Sequence, residues 1–371
     1  MDFSFSKSEK LLQKSVRDFL TKECADAARE AEKTDESYLF KIWNKIVDLG
    51  WTGLGIPDKY GGMGGDVIET AILIEEMGRA LLPAPLIPSV ACSASALYEH
   101  GSDDQKKTFL PQIADGKAII VPALIKNEPY AGVPSLEENI SNNGDDLVFS
   151  GTRLFAPYAH MANWIITWAD TEPGTTCFII KKNTPGITCT PMDTTGSEKL
   201  FEVTFDHVHI QHTHIIGKTG HGDAVLKTLN ELGALSHSAY LLGIIEKILD
   251  ITAAYAKQRH QFGRPIGSFQ AICHQLADMA LQVEQVKYLT YLAYSKLSRK
   301  QACTDLISMA KARASDAARF ISLFGVKIHG GIGIIDEYDM QLYFRNAKAH
   351  ELAFGDADFH RKVVALNIGL Q

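Results

Sequence analysis

The chain has 371 residues, of which 46% are hydrophobic and 22% charged, and its formal net charge is −7. This length is enough for two or three domains, and the composition is that of an ordinary soluble globular protein. The acidic balance and the absence of a Lys/Arg run argue against a nucleic-acid-binding protein, and no apolar run reaches the ~18 residues that a membrane span needs.

The first residues, "MDFSFSKSEKLLQKSVRDFL", mix charged and apolar side chains and lack the apolar core of a signal peptide. Six cysteines are scattered along the chain without a CxxC pair. This usage indicates reduced thiols rather than a disulfide framework or a zinc site. We therefore expect a cytoplasmic protein.

The N-terminal part, residues 1–118, is predicted to be a helical domain. "LLQKSVRDFLTKECADAAREAE" and "YLFKIWNKIVDLG" carry apolar residues at positions i, i+3, i+4 and i+7. A turn, "GIPDKYGGMGG", separates them from "DVIETAILIEEMGRALL", and Asp66 is the predicted N-cap of this next helix.

The middle part, residues 119–216, changes to short β-rich runs separated by Gly, Pro, Asn and Asp, such as "NWIITWAD", "TTCFIIKK" and "LFEVTFDHVHI". These runs predict a small antiparallel sheet or barrel. The last run continues into "HVHIQHTH", whose imidazoles are of the kind that ligates zinc. Because no acid or cysteine completes a metal-ligand spacing, we expect a solvated strand end instead.

The C-terminal part, residues 217–371, returns to the helical period. Long amphipathic segments with short joints predict a four-helix bundle, and the segments cover residues 223–258, 269–300, 303–328 and 336–353. The predicted fold class is α+β, with a helical domain, a β-domain and a helical bundle in that order.

The joint after the first bundle helix reads "AYAKQRHQFGRPIGSFQAICHQLADMA". Ser268 is placed to cap the helix that follows, and the joint presents Arg259, Phe262 and Gln270 at one end of the bundle. A guanidinium clamps a pyrophosphate, an aromatic ring covers an adenine, and an amide bonds to a ribose or base. The alternative is an ordinary corner between two helices with an exposed arginine.

A second joint, "KIHGGIGIIDEYD", contains Gly330 and Gly331. Glycines let backbone N–H groups come close to a ligand, and a following helix N-terminus favours an anion. A glycine pair is also a common way to end one helix and begin another. Two such joints in one bundle favour a nucleotide ligand.

These motifs carry a family resemblance. "RHQFGRPIGSFQ", "HGGIG" and "FRNAKA", together with the order of helices, β-domain and helices, resemble the acyl-CoA dehydrogenase family over essentially the whole chain. "GWTGLGIPDKYGGMGG" and "ILIEEMGRALLPAPL" are similar to its N-terminal domain. The ending "FGDADFHR" resembles a branch that includes subunits of heteromeric dehydrogenases for steroid side-chain, branched or dicarboxylic acyl-CoAs.

The resemblance implies FAD bound between the β-domain and the bundle, with part of the site supplied by a neighbouring subunit. It also implies a glutamate that removes the α-proton of an acyl-CoA substrate, hydride transfer to the flavin, and an electron-transfer flavoprotein as acceptor. A homo- or heterotetramer is expected. The residues that match the FAD-binding set are Arg259, Phe262, Gln270, Gly330 and Gly331.

The sequence also departs from the family pattern. Asn127 in "NEPYAG" replaces the usual Thr, and "FAP" replaces the flavin-contacting "W-I-T/S", so that Phe155 is the residue expected to cover the flavin ring. Pro157 has neither a hydroxyl nor an N–H to offer the flavin. Lys327 stands where Gln is usual and is expected either to bind a phosphate or to be a solvated charge.

The catalytic base cannot be named from the sequence. The resemblance places the usual Glu at Phe354, and the alternative position on the first bundle helix at Gly233. The resemblance places Asp356 at the family's Thr, close to the flavin phosphates, where a carboxylate is repelled by like charge. Glu351 and Glu231 are expected to be solvated helix-end acids. The expected function is an FAD-dependent acyl-CoA dehydrogenase subunit, and the main alternative is a non-catalytic partner subunit. A flavin enzyme acting on another substrate is a third, weaker reading.

Overall fold

The computed structural model describes residues 5–24, 26–33, 37–126, 138–143 and 146–370. Its N-terminal part is helical, as predicted, with helices α1 to α6 at Lys7–Glu23, Ala27–Lys33, Ser37–Asp48, Val67–Ala80, Ser95–His100 and Asp103–Ala114. Asp66 is the N-cap of α4 and forms a capping box with Glu69, which confirms the predicted helix start. A π-helical segment, Ile87–Ala94, leads into α5.

The middle part contains strands β1 to β9, at Ile120–Pro122, Ile125–Lys126, Asn139–Asn143, Asp146–Pro157, Trp164–Thr171, Gly174–Lys181, Ile187–Met192, Leu200–Gln211 and Ile215–Ile216. The predicted β-domain is confirmed, but it is built from two sheets. One has the order β1-β5-β6-β9, and the other has the order β2-β4-β8-β7 with β3 also paired to β4.

The pairing of β1 with β5 is parallel, so the prediction of purely antiparallel strands is wrong at this place. The reason is topological, because the chain between β1 and β5 crosses to the second sheet before it returns. Phe149 of β4 contacts Phe178 of β6 and Phe205 of β8, with ring centroids 5.3 and 5.2 Å away. These rings fill the space between the two sheets.

The C-terminal part forms the predicted bundle, with α7 to α10 at Asp223–Gln258, Gln270–Ser298, Thr304–His329 and Met340–Leu352. A further helix, α11 (Ala357–Asn367), was not predicted and packs on α9. Helix α7 lies closest to the N-terminal domain. A Cβ added at Gly243 would lie 1.9 Å from the carbonyl oxygen of Glu75, so the backbones of α7 and α4 touch directly.

The β-domain is fixed to the bundle through α10. The amide of Asn346 accepts a hydrogen bond from Ser197 N and donates one to Ser197 Oγ, both 3.0 Å long. Arg345 donates to the carbonyl oxygen of Thr195 at 2.7 Å. These bonds hold the loop between β7 and β8 against α10. Among the described helices, none has the length and apolar character needed to cross a membrane.

Candidate functional site

The structure brings the two predicted joints together at one end of the bundle. Tyr255, one turn before Arg259 on α7, stacks on His329 with ring centroids 4.3 Å apart. The Tyr255 hydroxyl also donates to the carbonyl oxygen of His329, at 3.5 Å, and His329 directly precedes Gly330. We call the set Arg259, Phe262, Gln270, Gly330 and Gly331 the nucleotide joint.

The first half of the nucleotide joint is a two-residue hairpin between β10 (His260–Gln261) and β11 (Arg264–Pro265). Phe262 and Gly263 form its turn with φ angles of 55° and 80°, a combination that a tight hairpin requires. Phe262 is 92% exposed at its tip. Arg259 and Gln270 are also exposed, and no described carboxylate pairs with Arg259.

One detail of this half differs from the prediction. Ser268 does not cap α8, because it lies in a 3₁₀ turn and its hydroxyl donates to the carbonyl oxygen of Pro265 at 2.7 Å. The N-cap position belongs to Phe269, which makes no side-chain cap bond. The first N–H groups of α8 therefore have no N-cap side chain to which they can donate.

The second half of the nucleotide joint is open. A Cβ placed on Gly330 or Gly331 would meet no atom of the described residues within 4 Å, and Nε2 of His329 is buried without a hydrogen-bond partner among them. Lys327 is exposed, and its ammonium lies 5.3 Å from the centroid of the Phe324 ring. An unpaired guanidinium, an exposed ring and an open glycine backbone fit the phosphates and base of FAD.

Phe155 lies in a bulge of β4, between Arg153 and Ala156, where the register with β8 shifts. Its φ angle is 57° and its side chain is 46% exposed. A bulge turns a side chain away from the strand plane, which leaves this ring available to a flat ligand. Asn127, the other departure in this domain, lies outside the described residues.

The two positions at which the resemblance places the base meet at one point. A Cβ added to Gly233 on α7 would lie 2.3 Å from the ring of Phe354, which follows α10. Phe354 has a φ angle of 54°, and its carbonyl oxygen is held by Nε2 of His360 at 2.9 Å. Glycine at one position therefore makes room for the aromatic ring at the other.

The acids near Phe354 are already engaged. Glu351 is fully buried, and the exposed cations Arg319 and Lys348 pair with its carboxylate. The expectation that Glu351 is solvated is wrong, because α10 turns this side chain inward. Asp356 caps α11 by accepting from Phe359 N at 2.8 Å, and this bond holds its pKa below the usual value.

Glu231 is half-buried and accepts a hydrogen bond of 2.7 Å from the hydroxyl of Thr304. Its position two residues before Gly233 places it toward the start of α9 instead of toward Phe354. None of the three acids considered from the sequence is free to act as a base next to Phe354. Of the strand-end histidines, His207, His209 and His212 are exposed as expected, and His207 bonds to Asp206. His214 is half-buried, with its ring centroid 5.8 Å from that of Trp164.

The sequence did not predict a polar cluster that lies beside Phe354. One carboxylate oxygen of Glu198 and one ring nitrogen each of His237 and His350 all lie within 4.8 Å of one another. The three come from the β7–β8 loop, α7 and α10, and we call them the buried polar cluster. The His237 ring lies 5.2 Å from the rings of both His350 and Phe354, measured between centroids.

Desolvation dominates the electrostatics of this cluster. It raises the pKa of Glu198 to about 7 and lowers the pKa of His237 to about 4. Burial also holds the pKa of His350 well below its ordinary value. Both imidazoles are therefore neutral near pH 7, where the carboxyl group titrates.

A narrow cavity of ≈ 10 Å³ is lined by Glu198 and His350 of this cluster together with Tyr158 and Tyr240. Sequence reasoning missed the site because its members are 39 and 113 residues apart along the chain, counted from Glu198 to His237 and from His237 to His350. The feature of the sequence that could have indicated this site is His237, a titratable residue inside the apolar run "LGALSHSAYLL".

Comparison with known proteins agrees with this architecture. Residues 6–117 match the model "Acyl-CoA dehydrogenase, N-terminal domain", and residues 220–369 match "Acyl-CoA dehydrogenase, C-terminal domain". An acyl-CoA dehydrogenase of Bacillus subtilis (strain 168) is 34% identical over 96% of both chains.

Two solved structures share the whole fold. The glutaryl-coenzyme A dehydrogenase in complex with glutaryl-CoA has a TM-score of 0.92 at 27% identity, and it covers 100% of this chain and 98% of its own. A chain of the ChsE4-ChsE5 complex from Mycobacterium tuberculosis has a TM-score of 0.91 at 26% identity, with both chains fully covered. From its domains, relatives and architecture, this chain belongs to the acyl-CoA dehydrogenase family, whose members are FAD-binding oxidoreductases.

Proposed function

We propose that this chain catalyses the α,β-desaturation of an acyl-CoA thioester with FAD, as a subunit of an oligomer that contains a second chain or copy. The observation that carries this proposal is the nucleotide joint, where an unpaired Arg259 and open glycines stand at one end of the bundle. Bound FAD supplies a two-electron acceptor, which no amino-acid side chain offers.

Each residue of the joint has a proposed role toward the cofactor. Arg259 would clamp the pyrophosphate, Phe262 would cover the adenine, and Gln270 would bond to the ribose or base. Lys327 would bind a phosphate beside the backbone of Gly330 and Gly331. Phe155 would cover one face of the flavin ring, because its ring is exposed in the β4 bulge.

An oligomer is proposed because the nucleotide joint is too open for one chain to enclose a cofactor. Phe262 is 92% exposed, and the bundle also exposes Leu281, Leu323 and Ile334 by 62%, 54% and 68%. Exposed apolar residues in such numbers are typical of a surface that another chain covers. We propose a homo- or heterotetramer, with an electron-transfer flavoprotein as the partner that would accept electrons from its bound FAD.

The test of the cofactor assignment is Arg259→Ala, with Arg299→Ala at the opposite end of α8 as the matched control. Losing a charge-assisted bidentate contact of ~2–3 kcal/mol would weaken FAD binding by one to two decades while the protein stays folded. Flavin absorption of the purified variants, followed by FAD titration, measures this. Equal flavin retention in all three proteins would mean that the joint is merely structural.

A second candidate function is a non-catalytic partner that supports an active paralogue. The observation in its favour is the contact of Gly233 with Phe354, which puts an aromatic ring where the family resemblance expects a carboxylate. The lone chain then binds little flavin and becomes yellow only when co-expressed with a glutamate-bearing chain. Flavin absorption near stoichiometric in the lone chain contradicts this second candidate.

A further inference from the structure

The space beside Phe354 contains titratable groups that the expected mechanism does not use. His237 lies one helical turn after Gly233 and therefore on the same face of α7. Its ring approaches the Phe354 ring with centroids 5.2 Å apart. Among the described side chains, His237 is thus a neutral nitrogen base that adjoins the point where Gly233 and Phe354 meet.

The tautomer of His237 is set by its hydrogen bond. Nδ1 lies 2.9 Å from the carbonyl oxygen of Gly233, and a carbonyl oxygen only accepts, so Nδ1 carries the proton. In the neutral ring, Nε2 therefore keeps a lone pair. A backbone carbonyl that orients an imidazole in this way is a recurrent arrangement in sites where the opposite nitrogen acts.

The other members of the cluster are unpaired in the described structure. Nδ1 of His350 is buried without a hydrogen-bond partner, and the residue is 4% exposed. Glu198 is half-buried, and its carboxylate forms no hydrogen bond or ion pair with a described side chain, although it lies within 4.8 Å of both imidazoles. Unpaired polar groups inside a protein are costly, and such groups in a native structure ask for a functional explanation.

Resting on the proposed function, we propose that the buried polar cluster is the acid–base group of this enzyme, with His237 as the residue that takes the substrate's α-proton and Glu198 as the charge that stabilises it. His350 would hold the far side of the cluster. The cluster would then replace the carboxylate that is absent at positions 233 and 354.

The proposed reaction removes a proton from the α-carbon and a hydride from the β-carbon of the thioester. The α-C–H bond breaks and a new N–H bond forms at Nε2 of His237. The electron pair left on the α-carbon would become the α,β double bond, and the β-hydrogen would leave with its own pair as hydride, for which bound FAD would supply the acceptor. The thioester is oxidised by two electrons and the flavin is reduced, and the Glu198 carboxylate offsets the charge of the imidazolium.

The groups that face His237 are known from each packed element. Glu198 comes from the β7–β8 loop, His350 from α10 and Lys311 from α9, and burial lowers the pKa of Lys311 to about 7. Tyr158 and Tyr240 line the cavity beside Glu198 and His350, and their pKa values are raised by burial. Glu198 must be ionised to stabilise the imidazolium, so the rate of proton removal should rise with pH through about 7 and then level off.

The experiment uses the FAD-loaded full chain with the variants Glu198→Gln and His237→Gln. The control is His160→Gln, because His160 is a half-buried histidine whose pKa is also lowered to about 4 and whose Nδ1 has no partner among the described residues. The readout is loss of deuterium from straight-chain acyl-CoAs labelled at C2, measured by NMR, together with desaturation, flavin content and unfolding midpoint. We expect both cluster variants to lose ~10²-fold or more of the α-deuterium exchange, and the control to stay within about twofold.

Adding Phe354→Glu to either cluster variant distinguishes proton transfer from packing. We expect it to restore exchange and to move the pH profile from about 7 toward the acidic range of an ordinary carboxyl group. Exchange that survives in both cluster variants, or a loss that Phe354→Glu does not restore, would overturn the proposal. A stoichiometric transition metal in the purified protein that Glu198→Gln removes would also overturn it, since the cluster would then be a metal site.

The proposed function fails separately from this inference. If Phe354→Glu in the otherwise unchanged, flavin-loaded chain produces neither exchange nor desaturation with any acyl-CoA, the reaction itself is misassigned. If that variant is active while the cluster variants behave like the parent, the reaction stands and the cluster has no part in it.

Discussion

The nucleotide joint and the buried polar cluster are built in opposite ways. The joint is exposed, and most of it is formed by two short turns whose residues are close together in the sequence. The cluster has two buried histidines and a half-buried Glu198, and its three residues come from three elements that meet only in the folded chain. Binding of a large cofactor needs an open surface, whereas proton transfer needs a group whose protonation is controlled by desolvation.

The two regions also differ in their effect on the free energy of unfolding. Exposed polar groups at the joint keep their hydration, so they change the free energy of unfolding only slightly. In the cluster, desolvation shifts the pKa of Glu198 and of His237 in opposite directions, and both shifts favour the neutral form. A bound ligand would therefore act on the cluster by changing the protonation of its groups, and on the joint by forming direct contacts.

The largest expected effect concerns the base position. Phe354→Glu should raise desaturation by the lone chain about 10²-fold, the lower end of what a well-placed base contributes, because the cluster already supplies part of the function. The smaller side chain fits beside Gly233, where the Phe354 ring now lies. The measurement is turnover of an acyl-CoA panel with an artificial electron acceptor.

The matched control for this substitution is Phe354→Gln, which has the same shape as glutamate but no proton-accepting carboxylate. An equal gain in both variants would mean that relief of crowding, and not a base, limits the parent enzyme. A gain confined to glutamate would place the reacting carbon next to position 354. Turnover of ordinary magnitude in the parent, abolished by Asp356→Asn or Glu351→Gln, would mean that the loop acids act after all.

A smaller effect is expected from Lys311, which fixes the loop that carries Phe354. Its ammonium donates to the carbonyl oxygens of Glu351 and Gly355, both at 2.8 Å, and to Ser315 Oγ at 2.9 Å. Lys311→Met leaves buried acceptors unsatisfied, and we expect the free energy of unfolding to fall by ~1–3 kcal/mol. Lys348→Met is the control, since Lys348 is half-exposed and Arg319 still pairs with Glu351 in its absence.

Lys311 should also make the stability of the folded chain depend on pH. Burial lowers the pKa of Lys311 from 10.5 to about 7 in the folded chain. Between these values the unfolded chain binds more protons than the folded one, so stability should rise as the pH rises from about 7 toward 10.5. Denaturant unfolding at several pH values should show a flatter profile in that window for Lys311→Met. If stability depends on pH with the same slope in Lys311→Met as in the parent, other groups cause that dependence.

The sequence predicted most of the fold because its signals are local. Helical periodicity located α7 to α10, and Asp66 marked the start of α4. The parallel pairing of β1 with β5 and the inward turn of Glu351 depend on long-range packing, which periodicity does not encode. For the same reason the joint residues were named in advance, while Glu198, His237 and His350 became neighbours only in the structure.

The smallest expected effect tests the exposed region alone. Gly331 has room for a methyl group, since no atom lies within 4 Å of an added Cβ, and its φ angle is outside the left-handed range. Gly331→Ala should therefore leave the stability of the flavin-free chain within about 0.5 kcal/mol. If the backbone approaches the FAD phosphates here, the same methyl group should weaken FAD binding about tenfold, or ~1.4 kcal/mol.

Gly330→Ala is the contrasting variant, because its φ angle of 64° strains an L-residue by ~1 kcal/mol even without a ligand. Calorimetric FAD titration and denaturant unfolding of both variants separate backbone strain from ligand contact. A Gly331→Ala chain that binds FAD within twofold of the parent would mean that the glycine pair only ends α9.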